Sequence, residues 1–320
     1  MMRIFSGIQP TGELHIGNYL GAIKQWIKLQ EKNECLFCIV DLHALTSPFD
    51  PKKMEDLVME KAMIYLAAGV NPKKSIIFIQ SRVSQHSELA WLLNTVTPIG
   101  DLQRMTQYKE KSEKFKKNIN AGLLNYPILM ASDILLYQTE IVPVGVDQRQ
   151  HVELTRTIGK RFNSRFGETF KIPEVYLPKA GAKIMSLSIP TKKMSKSDPP
   201  ETRIGIFDSI KEIEEKIMRA TTDSEREVKY NPVEKPGISN LLEIYSLFSN
   251  IPIEKLNFNS YKDLKTNLSK LLALSLSPFR EKKKKLKIKE IREILSRGEK
   301  KARVIAEKTI MKAKRNMGLI

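Results

Sequence analysis

Two short runs in this sequence combine residue types that can handle phosphate. Lys193-Met194-Ser195-Lys196-Ser197 sets two lysines three apart, interleaved with hydroxyls and preceded by Lys192. Such a run suits a mobile loop gripping polyphosphate oxygens, with ammonium groups for charge and hydroxyls for hydrogen bonds. The same letters also fit a basic linker between domains, and Pro199-Pro200 marks an exposed loop under either reading. The second run is Ser6-Gly7-Ile8-Gln9-Pro10-Thr11-Gly12, followed by His15-Ile16-Gly17-Asn18. It reads as a strand, a tight turn and the opening of a helix. Gly17 has no side chain where that helix begins, so a base or a phosphate can lie against the backbone. The helix start offers free N–H groups and a positive dipole end to an anion, and His15 and Asn18 add donors. Taken alone, such a turn says little. The chain has neither a GxGxxG fingerprint nor a GxxxxGK[ST] loop, so a nucleotide needs a different cradle.

The elements that must position these runs follow from the hydrophobic pattern. Residues 2–6, 35–40, 75–80 and 141–144 read as short apolar strands, and residues 16–30, 51–68, 87–93 and 148–161 as helices. Strands separated by helices predict an α/β fold with a parallel sheet and helical crossovers. Such a sheet takes ligands in a crevice beyond the carboxyl ends of its strands, and the candidate residues cluster there. After Pro190 the pattern is helical only, over 210–219, 237–248 and 261–276. Near the end, Ile291, Leu295, Ala302, Ile305 and Thr309 recur at helical steps, giving a long helix with one apolar stripe. That stripe needs a partner surface, for which the first domain is the candidate. The predicted organisation is 1–190, 191–285 and 286–320.

Composition narrows the classes. With 41% hydrophobic and 28% charged residues, the chain is of ordinary globular type. No apolar run approaches the ~20 residues that cross a bilayer. Neither a signal segment nor a transit peptide is recognisable at the start, so a cytoplasmic protein with no membrane partner is expected. Cys35 and Cys38 form a CxxC, open to a redox or half-zinc reading. The four histidines show no ligand spacing with them, which favours two small buried residues in a strand and predicts no metal held by the protein. The net charge is +18, and from Glu281 to Ile320 fifteen Lys/Arg against five Glu place +10 of it in the last forty residues. A polyanionic partner would explain this, as would a solvated helix face. No helix-turn-helix or zinc-finger pattern points to DNA.

His15-Ile16-Gly17-Asn18 resembles the "HIGH" element of class I aminoacyl-tRNA synthetases, and residues 193–197 match their "KMSKS" loop letter for letter. The surrounding text resembles the tryptophanyl-tRNA synthetase family of bacterial type: Phe5 to Gly12, Gly122-Leu123-Leu124 through Tyr126-Pro127, Met130 to Leu135, Val142 to Asp147 and Lys235 to Leu242. The resemblance covers essentially the whole chain. Two departures stand out. Asn18 replaces the second histidine of the class pattern, and Val146 stands where an acidic residue is common.

The resemblance implies a Rossmann-like catalytic domain at 1–190, a smaller helical domain with the KMSKS loop and anticodon contacts at 191–285, and a basic tRNA-facing helix at 286–320. It implies ATP and L-tryptophan as substrates, tRNA(Trp) as acceptor, a homodimer, and a Mg²⁺ carried by phosphate and water rather than a protein cage. The nucleophile is the amino acid carboxylate, so no general base is required; the enzyme aligns the groups and stabilises charge on phosphate oxygens. For that work the resemblance points to Lys193, Lys196, Ser195 and Ser197, with Lys192 and Lys111 as secondary candidates; Lys111 also fits a solvated helix face. ATP contacts fall on Gln9, Pro10, Thr11, Gly17, Asn18, Gly145, Val146, Asp147, Met194 and the backbone of Ile184. Asp147 is placed to accept ribose hydroxyls, and a helix N-cap is its alternative role. Asp133, an acid in an apolar stretch, is the expected acceptor for the indole N–H, since a buried carboxylate needs a partner. Phe5, Met130, Val142 and Val144 would wall the slot, and Tyr126, Gln148 and His43 would orient the polar end; His43 also fits a satisfied core histidine. Competing readings are a tyrosine-specific relative, which disagrees with residues 7–12 and 130–135, and a non-catalytic RNA-binding relative, which would have eroded loops.

Overall fold

The computed structural model describes residues 1–109, 120–177, 184–196, 198–225 and 227–320. The chain divides into two compact units: Met1–Thr11, Trp26–Lys179 and Lys287–Ile320 form one, and Gly12–Gln25 with Ala180–Leu286 the other.

The first unit is built on a parallel sheet of five strands: β1 (Arg3–Ile8), β2 (Glu34–Ile39), β3 (Ser75–Ile79), β4 (Ile141–Pro143) and β5 (Glu174–Tyr176). Their order is β3-β2-β1-β4-β5. Continuous burial from Cys35 to Ile39 suits a strand covered on both faces. Cys35 and Cys38 are free, buried thiols in β2, and burial pushes the Cys35 thiol up to about 12. In the core, Trp26 stacks on Phe37 at 4.6 Å and meets the edge of Tyr65 at 5.0 Å.

The α/β fold and four of the strands agree with the sequence pattern. β5 has no counterpart there, because three residues with only Val175 turned inward leave no readable alternation. β1 pairs with both β2 and β4, so the strand order reverses there. The crevice beyond a reversal is where such sheets take ligands. Gln9–Thr11 follow β1 and Val144–Asp147 follow β4.

Helix Ala121–Leu135 is also absent from the sequence reading. It is apolar on nearly every side and carries Pro127, so it lacks an amphipathic period. Asn120 starts it by accepting the Leu123 N–H at 2.9 Å. It packs against helices Gln85–Asn94 and Arg149–Phe166. Helix Ile288–Asn316 lies on β3 with Ile291, Leu295, Ala302 and Thr309 buried and Ile305 half-buried. At their closest approach a Cβ on Gly298 would lie 1.8 Å from the Ile77 carbonyl oxygen, so backbone packs on backbone.

The second unit is helical, with Ile210–Arg219, Pro236–Ser249 and Tyr261–Lys285 as its frame. Ser209 and Glu212 cap the first reciprocally. At that helix's other end the Lys265 ammonium donates to the Ala220 and Met218 carbonyls at 2.8 and 3.1 Å. The segment Gly12–Gln25 is tied into this unit by backbone hydrogen bonds from Ile16 to Ile204 and from Ile206 to Leu14.

Candidate active site

In the first unit, Asp133 lies near the end of helix Ala121–Leu135 and is only 1% exposed. Its Oδ2 accepts from His43 Nε2 at 2.8 Å. Its Oδ1 accepts from His86 Nδ1 at 2.6 Å and from Gln80 Nε2 at 2.7 Å. These partners come from short connections after β2 and β3 and from helix Gln85–Asn94. Burial alone would push the carboxyl pKa up, but hydrogen bonds and attraction from His43 and His86 outweigh it and bring it down to about 2. The result is a dry, ionised carboxylate with a fixed orientation. Phe5 is buried and stacks on Tyr137, 5.6 Å between ring centroids. Val142 is buried; Met130 and Val144 are half-buried and pack against the same core. Tyr126 pairs its hydroxyl with His151 Nε2 at 2.8 Å. His43 is thus a partner of Asp133, with its ring edge-on to Tyr126 at 6.4 Å.

Gly145, Val146 and Asp147 are exposed past the end of β4, Val146 at 78%. The helix caps here are Gly145 and Gln148, so Asp147 is not the N-cap. Its Oδ2 instead accepts from Gln148 Nε2 at 3.0 Å. Gln148 therefore sits with Asp147.

In the second unit the two phosphate-type runs touch. Gly12 has φ +73°, and a Cβ there would stand 2.6 Å from the Lys196 Cβ, so a side chain would wedge turn and loop apart. His15 caps the turn Ile16–Asn18: its Nδ1 accepts the Gly17 N–H at 3.2 Å, and Asn18 Oδ1 accepts the His15 N–H at 3.1 Å. The asparagine in place of a second histidine thus has a local task, closing the cap. The space beside Gly17 is bordered by the His15 ring at 3.0 Å and by Ile184 at 3.6 Å. Ile184 is buried and its carbonyl accepts the Met194 N–H at 2.9 Å, fixing the base of the lysine loop. Burial, then the charges of Lys196, Arg203 and Lys193, lower the His15 pKa to about 3. The imidazole is thus held neutral with three cations around it, which makes the local field positive. Lys192 pairs with Asp198 at 3.0 Å. Lys111 and Ser197 lie outside the described residues.

The chain matches the model of the class I tRNA synthetases for W and Y over residues 1–304. It belongs to that family. Among its relatives, the tryptophan–tRNA ligase of Caldanaerobacter subterraneus is 50% identical over all of this chain and 99% of its own length. The Bacillus anthracis tryptophan–tRNA ligase is 49% identical over 100% and 98%. The tryptophanyl-tRNA synthetase structure from Mycoplasma pneumoniae superposes with a TM-score of 0.91 at 34% identity, covering 100% and 98% of the two chains. That from Campylobacter jejuni, complexed with ADP and tryptophan, gives 0.86 at 37% identity, covering 99% and 100%.

Within the synthetase frame, sequence reading passed over Gln80, His86, Arg203 and Glu13. Arg203 is buried, donates to the Asp198 carbonyl and reaches Glu13 Oε2 at 3.2 Å, bracing the lysine loop against the turn. Arg203 and Glu13 are 190 positions apart, and no local spacing announces the pair. His86 carried no local signal, since Gln85, Ser87 and Glu88 flank it in the sequence.

Proposed function

We propose that this chain attaches L-tryptophan to its cognate tRNA in two steps. In the first, a tryptophan carboxylate oxygen attacks the α-phosphorus of ATP; the bond to the β-phosphate bridge breaks, giving tryptophanyl-adenylate and pyrophosphate. In the second, a hydroxyl of the tRNA's terminal adenosine attacks the acyl carbon and AMP leaves. The observation that carries the tryptophan reading is the buried, ionised Asp133: an apolar slot with one fixed acceptor suits an indole, and an unpaired acceptor rejects rings lacking the donor. Phe5, Met130, Val142 and Val144 would wall this slot, and Tyr126 and Gln148 would hold the polar end of the amino acid.

Lys193 and Lys196, with Ser195 and Ser197, would bind the triphosphate and stabilise its developing charge, assisted by Lys192 and Lys111. Gln9, Pro10, Thr11, Gly17, Asn18, Met194 and Ile184 would contact ATP, with Asp147 and its neighbours Gly145 and Val146 at the ribose. A Mg²⁺ arriving with ATP would neutralise phosphate charge, with phosphate and water as its ligands. The described residues hold no cluster of three or more His, Cys, Asp or Glu suited to a metal.

The 191–285 region and the basic helix at 286–320 would meet tRNA phosphates. Lys289, Arg292, Arg297 and Lys300 lining one groove support this. A homodimer is supported by an apolar groove of about 310 Å³ with Leu45, Leu129 and Trp91 in its walls, the last 70% exposed. No helix among the described residues is long and apolar enough to cross a membrane. Amino-acid-dependent ATP–pyrophosphate exchange tests the reading. Tryptophan should support exchange at least ~10³-fold better than tyrosine in kcat/KM; equal or faster exchange with tyrosine overturns it.

A further inference from the structure

Behind Asp133 lies a second row of groups that the reaction does not touch. An ionised carboxylate offers about four acceptor positions. Gln80 and His86 take both on Oδ1, at 2.7 and 2.6 Å. His43 takes one on Oδ2, at 2.8 Å. One position remains.

Each donor is itself held. The Gln80 Oε1 accepts the Leu42 N–H at 3.1 Å, which fixes the amide's orientation and turns its Nε2 toward Asp133. His86 is fully buried, and its backbone carbonyl accepts the Ser132 hydroxyl at 2.7 Å, tying it to the residue before Asp133. Its other ring nitrogen, Nε2, lies 2.7 Å from the Tyr137 hydroxyl. A neutral imidazole has one donor and one acceptor. Nδ1 faces a carboxylate and donates; in the neutral ring Nε2 accepts from the Tyr137 hydroxyl, and in the protonated ring it donates to that hydroxyl, so Tyr137 holds Nε2 in either state. Tyr137 is fully buried between Phe5 and Phe78, so its hydroxyl has little freedom.

We propose that Gln80, His86 and Tyr137 are positioning residues for amino acid specificity: Gln80 and His86, with His43, fill three of Asp133's acceptor positions and Tyr137 holds His86 in place, leaving a single direction for the substrate's ring N–H. The choice of ring is thus set before substrate arrives, by a chain running from Tyr137 through His86 to the carboxylate. The inference rests on Asp133 being the indole acceptor. The low carboxyl pKa, about 2, agrees with a group kept ionised for this purpose.

The test compares L-tryptophan with its sulfur analogue β-(3-benzothienyl)-L-alanine, of similar shape but without a ring N–H. The readout is the ratio of their kcat/KM values in pyrophosphate exchange. Wild type should favour tryptophan by about 10²-fold or more. Tyr137→Phe keeps the stacked ring and loses only the hydroxyl; it should cut the ratio about five- to tenfold, through tryptophan KM rather than kcat. His86→Leu should cut it further. His86→Asn, whose amide nitrogen reaches roughly the place of Nδ1, should restore most of it, which a purely structural role would not do. If His86→Leu fails to fold, Tyr137→Phe decides alone. An unchanged ratio in Tyr137→Phe and His86→Leu, with a collapsed ratio in Asp133→Ala, overturns the positioning role while keeping the acceptor. An unchanged ratio in Asp133→Ala overturns the acceptor and the positioning role together.

Discussion

Asp133 is buried with three side-chain donors around it, whereas Lys193 is exposed on a loop whose cations face a neutral histidine. The two regions meet opposite electrostatic demands. A buried carboxylate is tolerable only when most of its acceptor positions are filled, so Gln80, His86 and His43 hold Asp133 and the region is rigid. On the proposed reading, charge acting on a departing pyrophosphate has to be able to shift, and the lysine loop carries its charges on a surface segment packed against Gly12, where no side chain intervenes. Choosing the amino acid is a task for fixed geometry. Handling the phosphate is a task for concentrated charge.

The comparison breaks most visibly at Asp133. Asp133→Ala should raise tryptophan KM ~10²-fold or more in pyrophosphate exchange while leaving ATP KM near its starting value. It should also cost about 3–5 kcal/mol in denaturant unfolding, because buried donors on Gln80, His43 and His86 lose their acceptor. Full stability would mean that the cluster is not the closed network described. Lys196→Ala should show the reverse pattern. Its kcat for adenylate formation should drop about 10²-fold with tryptophan KM little changed, in single-turnover assays. A loss confined to tryptophan KM would merge the two regions.

The smallest effect concerns His15. Its folded pKa, about 3, lies below the ordinary 6.5, so the fold prefers the neutral ring. The unfolded chain binds the extra proton between these values. Stability from this group is therefore complete above pH 6.5 and is lost as pH falls toward 3, by at most ~1.4 kcal/mol per unit. His15→Asn, which keeps a capping acceptor, should flatten the decline of melting temperature between pH 6.5 and 5. An unchanged slope would show that neither burial nor the cations hold this ring neutral.

What could be read from the sequence differs between the regions for the same physical reason. The lysine loop is local: five consecutive residues carry its charges and hydroxyls, and the turn from Gln9 to Asn18 is equally compact. Asp133 was legible as an acid in an apolar stretch. Its partners were not, because His86 and Gln80 stand 47 and 53 positions away and meet it only once the parallel sheet has brought β3 near helix Ala121–Leu135. Helix Ala121–Leu135 itself escaped notice because burial on most sides erases the polar face that marks a surface helix. β5 escaped because an edge strand of three residues carries too few side chains to show a period of two.

Calorimetric titration of tryptophan without ATP tests the division of labour most directly, on wild type, Asp133→Ala and Lys196→Ala side by side. Lys196→Ala should bind tryptophan as wild type does, while Asp133→Ala should weaken it at least ~30-fold, the loss of about 2 kcal/mol expected for a hydrogen bond to a charged acceptor. Equal weakening in both variants, or none in Asp133→Ala, would contradict the account.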